Sequence, residues 1–260
     1  MERVKKSYKK KKKRTILKSK IFWFVAIIFG SVIGFISLLF IHPFYQLETV
    51  NIEGVNLTSE GSLRNFIKRE SKTKVIFESD SLVFVSNILL TNNILSNYPH
   101  INQVKITKRF PKTLEIKVTE REKEAVWCVG LENSICYEID SKGIAFKRLS
   151  EKGGSFFIRH KGGSDLRLGE RTFGSEKIEF ILTARRELEN LYDLSEMLIP
   201  HERSLFVETE EGFQIRFDFG DDLNDQLERL EILLSEEIDE VDNLEYIELR
   251  YGNSVYYKKI

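Results

Sequence analysis

The sequence predicts a single-pass membrane protein whose part beyond the span is α+β, and three observations carry that prediction. Residues 21–41 form a run of 21 residues without a charge, 17 of them apolar. At ~1.5 Å rise per residue such a helix is about 31 Å long, the thickness of a bilayer's hydrocarbon core. Residues 1–20 carry eleven Lys and Arg against the single acid Glu2. After the span, alternating strands and amphipathic helices follow in the order strand, helix, helix, strand, strand, and then as a longer, mostly stranded run.

The basic flank sets the orientation, because positive segments next to a span stay in the cytoplasm. Residues 1–20 are therefore expected as a cytoplasmic tail in the cell membrane, and the chain after 41 as extracytoplasmic. A cleaved signal peptide shows a similar basic-then-apolar pattern, but its apolar region runs to ~7–15 residues and ends in a small-x-small site. Here the run is longer and ends in Ile41-His42-Pro43-Phe44. Within it, Gly30 and Gly34 have the GxxxG spacing that lets two helices approach, so a weak homodimer is an expectation. The basic run Lys9 to Arg14 reads as a topology signal. Nucleic-acid binding is not expected, because no aromatic beyond Tyr8 accompanies it for stacking.

The net charge of zero conceals a strong asymmetry. Residues 21–260 hold 29 Lys and Arg against 39 Asp and Glu, a net of −10. A cationic tail is thus joined to an acidic ectodomain large enough for one or two domains.

Val50 and Ile52 alternate with polar residues as a first strand, and Gly54 turns the chain. Thr58 or Ser59 caps a helix with Leu63, Phe66 and Ile67 at helical spacing. Ser81 is expected to open a second helix, its stripe made of Phe84, Val85, Ile88, Leu89 and Leu95, ending near Tyr98-Pro99. Val104 and Ile106, then Leu114, Ile116 and Val118, alternate as two strands about the turn Arg109-Phe110-Pro111-Lys112. Further on, 125–129 and 135–139 form a hairpin, 144–148 and 155–159 two more strands, and 175–197 a helix whose apolar stripe is Ile178, Ile181, Leu182, Leu188 and Leu191. Strands at 205–209 and 213–219 precede a helix capped by Asp221 or Asp222, whose Leu223, Leu227, Leu230 and Leu234 share a side.

The run Val50-Asn-Ile-Glu-Gly54, the run Lys108-Arg-Phe-Pro-Lys-Thr-Leu-Glu-Ile-Lys-Val-Thr-Glu-Arg121 and Ala125-Val-Trp127 resemble the FtsQ (DivIB) family of bacterial division proteins. Tyr137-Glu-Ile-Asp140-Ser-Lys-Gly143 and the final Tyr246-Ile-Glu-Leu-Arg-Tyr251 extend the resemblance, with Glu248 where the family commonly has Asp. Residues 153–173 match no motif. The resemblance implies a POTRA domain (β-α-α-β-β) over 44–121, and over 122–260 a mixed β domain with two helices that ends in a partner-binding strand.

No catalytic chemistry is expected. His42, His100, His160 and His201 are scattered without the spacing of a metal site. Nucleotide-binding and hydrolase signatures are absent. The cluster Asp218, Asp221, Asp222 and Asp225 fails the spacing of a calcium loop and reads as a helix start instead. No cofactor and no metal are predicted. Cys128 and Cys136, the only two cysteines, would face each other across a tight hairpin, either joined as a disulfide or packed as two apolar thiols.

Function then falls to surfaces. An edge strand can add a partner's strand through its unpaired backbone groups, and residues 246–257, a strand to Tyr251 followed by a return strand that starts at Gly252-Asn253, have that character. The expected contact residues are Tyr246, Ile247, Leu249, Arg250, Tyr251, Tyr256 and Tyr257. The resemblance implies a non-enzymatic scaffold at the division septum whose partners are bitopic proteins of the FtsB and FtsL kind. The alternative is a POTRA-bearing transport or envelope assembly factor, a class that needs a downstream barrel of alternating strands this sequence does not show. A charge at Tyr251 or Leu249, or truncation after Asn243, is expected to abolish partner capture.

Overall fold

The computed structural model of the protein describes residues 20–41, 43–74, 78–130, 134–149, 156–236 and 244–260. The basic tail before Lys20, His42 and most of the 131–134 turn lie outside them. Helix α1 (Lys20–Ile41) is one element of 22 residues. Its side chains from Lys20 to Ser37 are exposed, as a helix apolar on all sides must be when lipid rather than protein surrounds it. Gly30 and Gly34 have nothing within 4 Å of their Cβ positions, so that face is open.

A first group of elements comprises β1 (Thr49–Glu53), α2 (Glu60–Glu70), β2 (Thr73–Lys74), β3 (Glu78–Ser79), α3 (Asn87–Asn97), β4 (Ile101–Arg109) and β5 (Thr113–Glu120). β1, β5 and β4 form a three-stranded sheet in that order, and β2 and β3 a separate short pair. Alternation decides which face of β5 is buried: Leu114, Ile116 and Val118 point inward while Lys117 and Thr119 do not. Leu63, Phe66 and Ile67 of α2 and Leu90 and Ile94 of α3 are buried too. Gly54 has φ +84°, and a Cβ there would sit 2.1 Å from the Val118 carbonyl oxygen, so the turn after β1 admits only glycine.

Helix α3 differs from its expected form. It begins at Asn87, because Ser81 bridges to Gln46 and Leu82 N donates to Tyr45 O at 2.8 Å, which ties the preceding residues into a turn. The register of the stripe shifts with the start. Leu82, Val85, Leu90 and Ile94 are buried, whereas Ile88 and Leu89 are 75% and 65% exposed.

The second group comprises β6 (Ala125–Val129), β7 (Ile135–Ile139), β8 (Ala145–Leu149), β9 (Phe157–His160), α4 (Ser175–Leu188), β10 (Leu194–His201), β11 (Ser204–Thr209), β12 (Gln214–Asp218), α5 (Leu223–Glu236), β13 (Leu244–Tyr251) and β14 (Ser254–Lys259). All nine strands join one sheet in the order β14-β13-β12-β11-β10-β9-β6-β7-β8. Hairpin neighbours pair antiparallel, while β9 with β6, β9 with β10 and β12 with β13 pair parallel, so the sheet is mixed. One core runs along it, from Trp127, Tyr137 and Ile158 through Met197, Val207 and Ile215 to Ile247 and Leu249, with Ile178, Ile181 and Leu188 of α4 and Leu223, Leu230 and Leu233 of α5.

Helix α4 stops at Leu188 instead of continuing to Met197. The chain turns through residues 189–193 and enters β10, where Leu194, Met197 and Ile199 are buried between β9 and β11. Leu191, the last apolar residue of the expected helical stripe, is 56% exposed. Local helical spacing thus lost to sheet pairing across the core.

The stretch without a recognisable motif is held by the motif before it. Tyr137 is buried, and its hydroxyl bonds the Asp165 carboxylate and accepts from Leu166 N at 3.3 Å. Asp140 Oδ1 accepts from Lys142 N and Ile144 N, both at 2.9 Å, and Gly143, at φ +72°, closes against the Ile178 side chain. Both the tyrosine and the aspartate of Tyr-x-Ile-Asp-x-x-Gly are therefore structural.

Candidate partner-binding surface

The surface is built on the last hairpin. β13 pairs in parallel with β12 on one side and antiparallel with β14 on the other, so its backbone is occupied along both edges. Among the described residues no strand lies beyond β14. The free edge therefore belongs to β14 and not to the strand at 246–251.

The seven expected contact residues separate into three sets. Ile247 and Leu249 are fully buried in the core, where no partner can touch them in the folded chain. Tyr246 and Arg250 are half-buried on the opposite face of β13. Tyr251, Tyr256 and Tyr257 are exposed, at 62%, 56% and 37%. Tyr251 and Tyr256 meet edge to face across the turn, ring centroids 5.9 Å apart. Such rings carry large apolar area with little side-chain entropy to lose.

A buried carboxylate organises the face beneath them. Glu248 is 4% exposed. Arg250 grips it from two nitrogens, Nε to Oε1 and Nη2 to Oε2, each at 2.6 Å, and Arg216 Nη1 lies 3.7 Å from Oε2. A hydrogen bond to Glu248 and the proximity of its charge hold the Arg250 pKa above the ordinary value, against the opposing effect of burial. The two guanidinium groups both lie against Phe206, at 5.0 and 5.1 Å from its ring centre, and Arg216 also lies 4.0 Å from the centre of the Tyr246 ring. Planar, always-charged groups suit such stacking, which a lysine could not reproduce. Arg250 Nη1 also donates to Ser204 Oγ at 3.1 Å. The result is a rigid polar layer that locks β11, β12 and β13 together under the open edge. This layer escaped the sequence reading, although a charged residue between Ile247 and Leu249 with an arginine two positions on was its visible trace.

Cys128 and Cys136 pair in register across β6 and β7, their Cα atoms 4.1 Å apart and their sulfurs joined. Val126, Leu149 and Phe157 pack around them. Asp222 Oδ1 accepts from Asn224 N and Asp225 N at the start of α5, and Gln226, fully buried, exchanges hydrogen bonds with the Asp218 backbone. The aspartate cluster is a helix start with its own partners. Among the described residues no group of three His, Cys, Asp or Glu could hold a metal ion.

Comparisons with known proteins agree with this architecture. Residues 46–121 match the FtsQ-type POTRA domain family. The chain is 28% identical over 173 residues to the cell division protein FtsQ of Geobacter sp. (strain M21), a match covering 64% of this chain and 61% of that protein. It is 34% identical over 119 residues to the cell division protein DivIB of Clostridium botulinum (strain Loch Maree / Type A3), covering 43% and 39%. The match therefore spans less than two thirds of either relative. The chain thus combines an apolar span with an FtsQ-type POTRA domain directly after it, and it is similar to cell division proteins named FtsQ and DivIB.

Proposed function

We propose that the chain is a non-enzymatic division scaffold, held in the cell membrane with its tail in the cytoplasm and its POTRA (44–121) and β (122–260) domains outside. It works at the division septum, where it captures an extended segment of a bitopic partner of the FtsB or FtsL kind. The segment adds to the sheet as a strand beside β14. The observation that carries this reading is the open β14 edge, lined by Tyr251, Tyr256 and Tyr257 and stiffened by Glu248, Arg250 and Arg216. Backbone hydrogen bonds along such an edge supply affinity and the rings supply selectivity.

The sheet order changes how the idea has to be tested. Truncation after Asn243 or a charge at Leu249 removes core residues, so either variant would lose partners by unfolding. Tyr251→Asp and Tyr256→Asp alter exposed side chains only. Full-length protein carrying both should insert in the membrane and keep its thermal stability while losing co-purification of small single-span division proteins. Retention of those partners by a stable double variant would refute the assignment.

A further inference from the structure

The turn between β4 and β5 has a role that partner capture does not use. At its tip Phe110 is 60% exposed, flanked by Lys108, Arg109 and Lys112. A lone exposed aromatic ordinarily needs no explanation. Here the tether to the span supplies one.

Helix α1 ends at Ile41, and the chain binds to the first domain almost at once. Four residues later Tyr45 O accepts from Leu82 N at 2.8 Å, and Leu47 N donates to Asp80 O at 2.8 Å. Then Glu48 N and Thr49 N both donate to Lys112 O, at 3.0 and 3.2 Å, and the Glu48 carboxylate takes Lys112 Nζ at 2.8 Å. At no more than ~3.6 Å per residue, Tyr45 lies within about 14 Å of the helix end and Glu48 within about 25 Å. The headgroup layer itself extends ~5–8 Å beyond the hydrocarbon on each side. The turn is thus bonded, through its own backbone, to chain that cannot leave the neighbourhood of the membrane surface.

Its chemistry suits that place. Phe110 and Phe44, the latter 52% exposed, present apolar rings on the tethered unit. Arg109 and Lys112 pair with Glu115 and Glu48, which leaves Lys108 as the surplus cation, its amine reaching Val83 O at 3.2 Å. Exposed apolar rings beside one surplus positive charge suit an interfacial anchor on anionic phospholipid. We propose that the β4–β5 turn is a membrane-surface anchor that seats Phe110 among the phospholipid headgroups of the leaflet from which the chain emerges. The proposal rests on α1 being a retained span, and it concerns lipid rather than the strand-adding partner.

The test uses the full chain reconstituted in nanodiscs of phosphatidylethanolamine and phosphatidylglycerol. The described cysteines are joined to each other, so single variants Phe110→Cys, Phe24→Cys and Leu191→Cys can each take an environment-sensitive fluorophore. Lipids spin-labelled near the headgroup should cause a loss of emission at 110, a loss at 24 within the span with labels set deeper, and none at 191. Unchanged emission at 110 while position 24 is quenched would overturn the anchor. A label at 110 that responds only when membrane proteins are added would overturn it in favour of a protein contact. Absence of quenching at 24 would show instead that the span reading had failed. Phe110→Asp, with a label at Phe44→Cys, should weaken quenching at that neighbouring position.

Discussion

At one end of the nine-stranded sheet, β8 begins beneath residues 169–172: Ala145 N donates to Glu170 O at 2.9 Å, and Gly169 N donates to Ala145 O at 2.7 Å. At the other end β14 meets no strand among the described residues, and from Tyr256 onward every side chain is exposed. The β8 end also carries Lys147 and Arg148 facing solvent and, one and two strands in, the paired Cys128 and Cys136. The β14 end carries three exposed tyrosines, of which Tyr256 is the cross-strand partner of Glu248 in the buried Glu248–Arg250 pair. Exposed charge and a covering loop are ways of retiring an edge from further pairing. Rings over a stiff polar layer keep an edge available while holding its shape. Under the proposed function, the two ends of one sheet separate closure from recognition.

That contrast can be broken most severely in the core beneath the open end. Leu249→Asp buries an unpaired charge among Ile247, Leu244 and the α5 leucines and should cost at least about 4 kcal/mol, seen as loss of a cooperative thermal transition. Next is Arg250→Met, which leaves Glu248 buried with only the more distant Arg216. A cost of about 3 kcal/mol in chemical denaturation is expected, with a smaller cost when Glu248→Gln is added, because the uncompensated charge is then gone. Smallest is the clip at the closed end. The double variant Cys128→Ala, Cys136→Ala opens a short loop and should lose about 2 kcal/mol under non-reducing conditions. It should leave partner capture unchanged, and loss of capture would erase the division between the two ends.

Much of this was legible before the structure. The uncharged run at 21–41 has the length of a span, its flanks set it apart from a signal peptide, and the strict alternation of Leu114, Ile116 and Val118 fixes both a strand and its buried face. The resemblance at 108–121 pointed to the POTRA domain that residues 46–121 match, and the resemblance at 246–251 pointed to the C-terminal hairpin. What failed did so for non-local reasons. Residues 189–197 read as helix because Leu188 and Leu191 continue the spacing of α4, yet pairing with β9 and β11 makes a strand of 194–201. Ile88 and Leu89 read as core because the helix start was placed at Ser81, a residue the fold uses to bridge Gln46. Alternation put Ile247 and Leu249 on one strand face and Gly252-Asn253 marked the return strand that became β14, but the local pattern cannot say which of the two strands ends the sheet, since strand order is a property of the whole sheet.

The central claim is that β14 is the receiving edge. Amide hydrogen exchange on the full chain, with and without its co-purified single-span partners, tests it most directly. Amides of residues 254–259 are expected to become strongly protected on binding, while those of 145–149 do not change. Protection elsewhere in the β domain with 254–259 unaltered would contradict it.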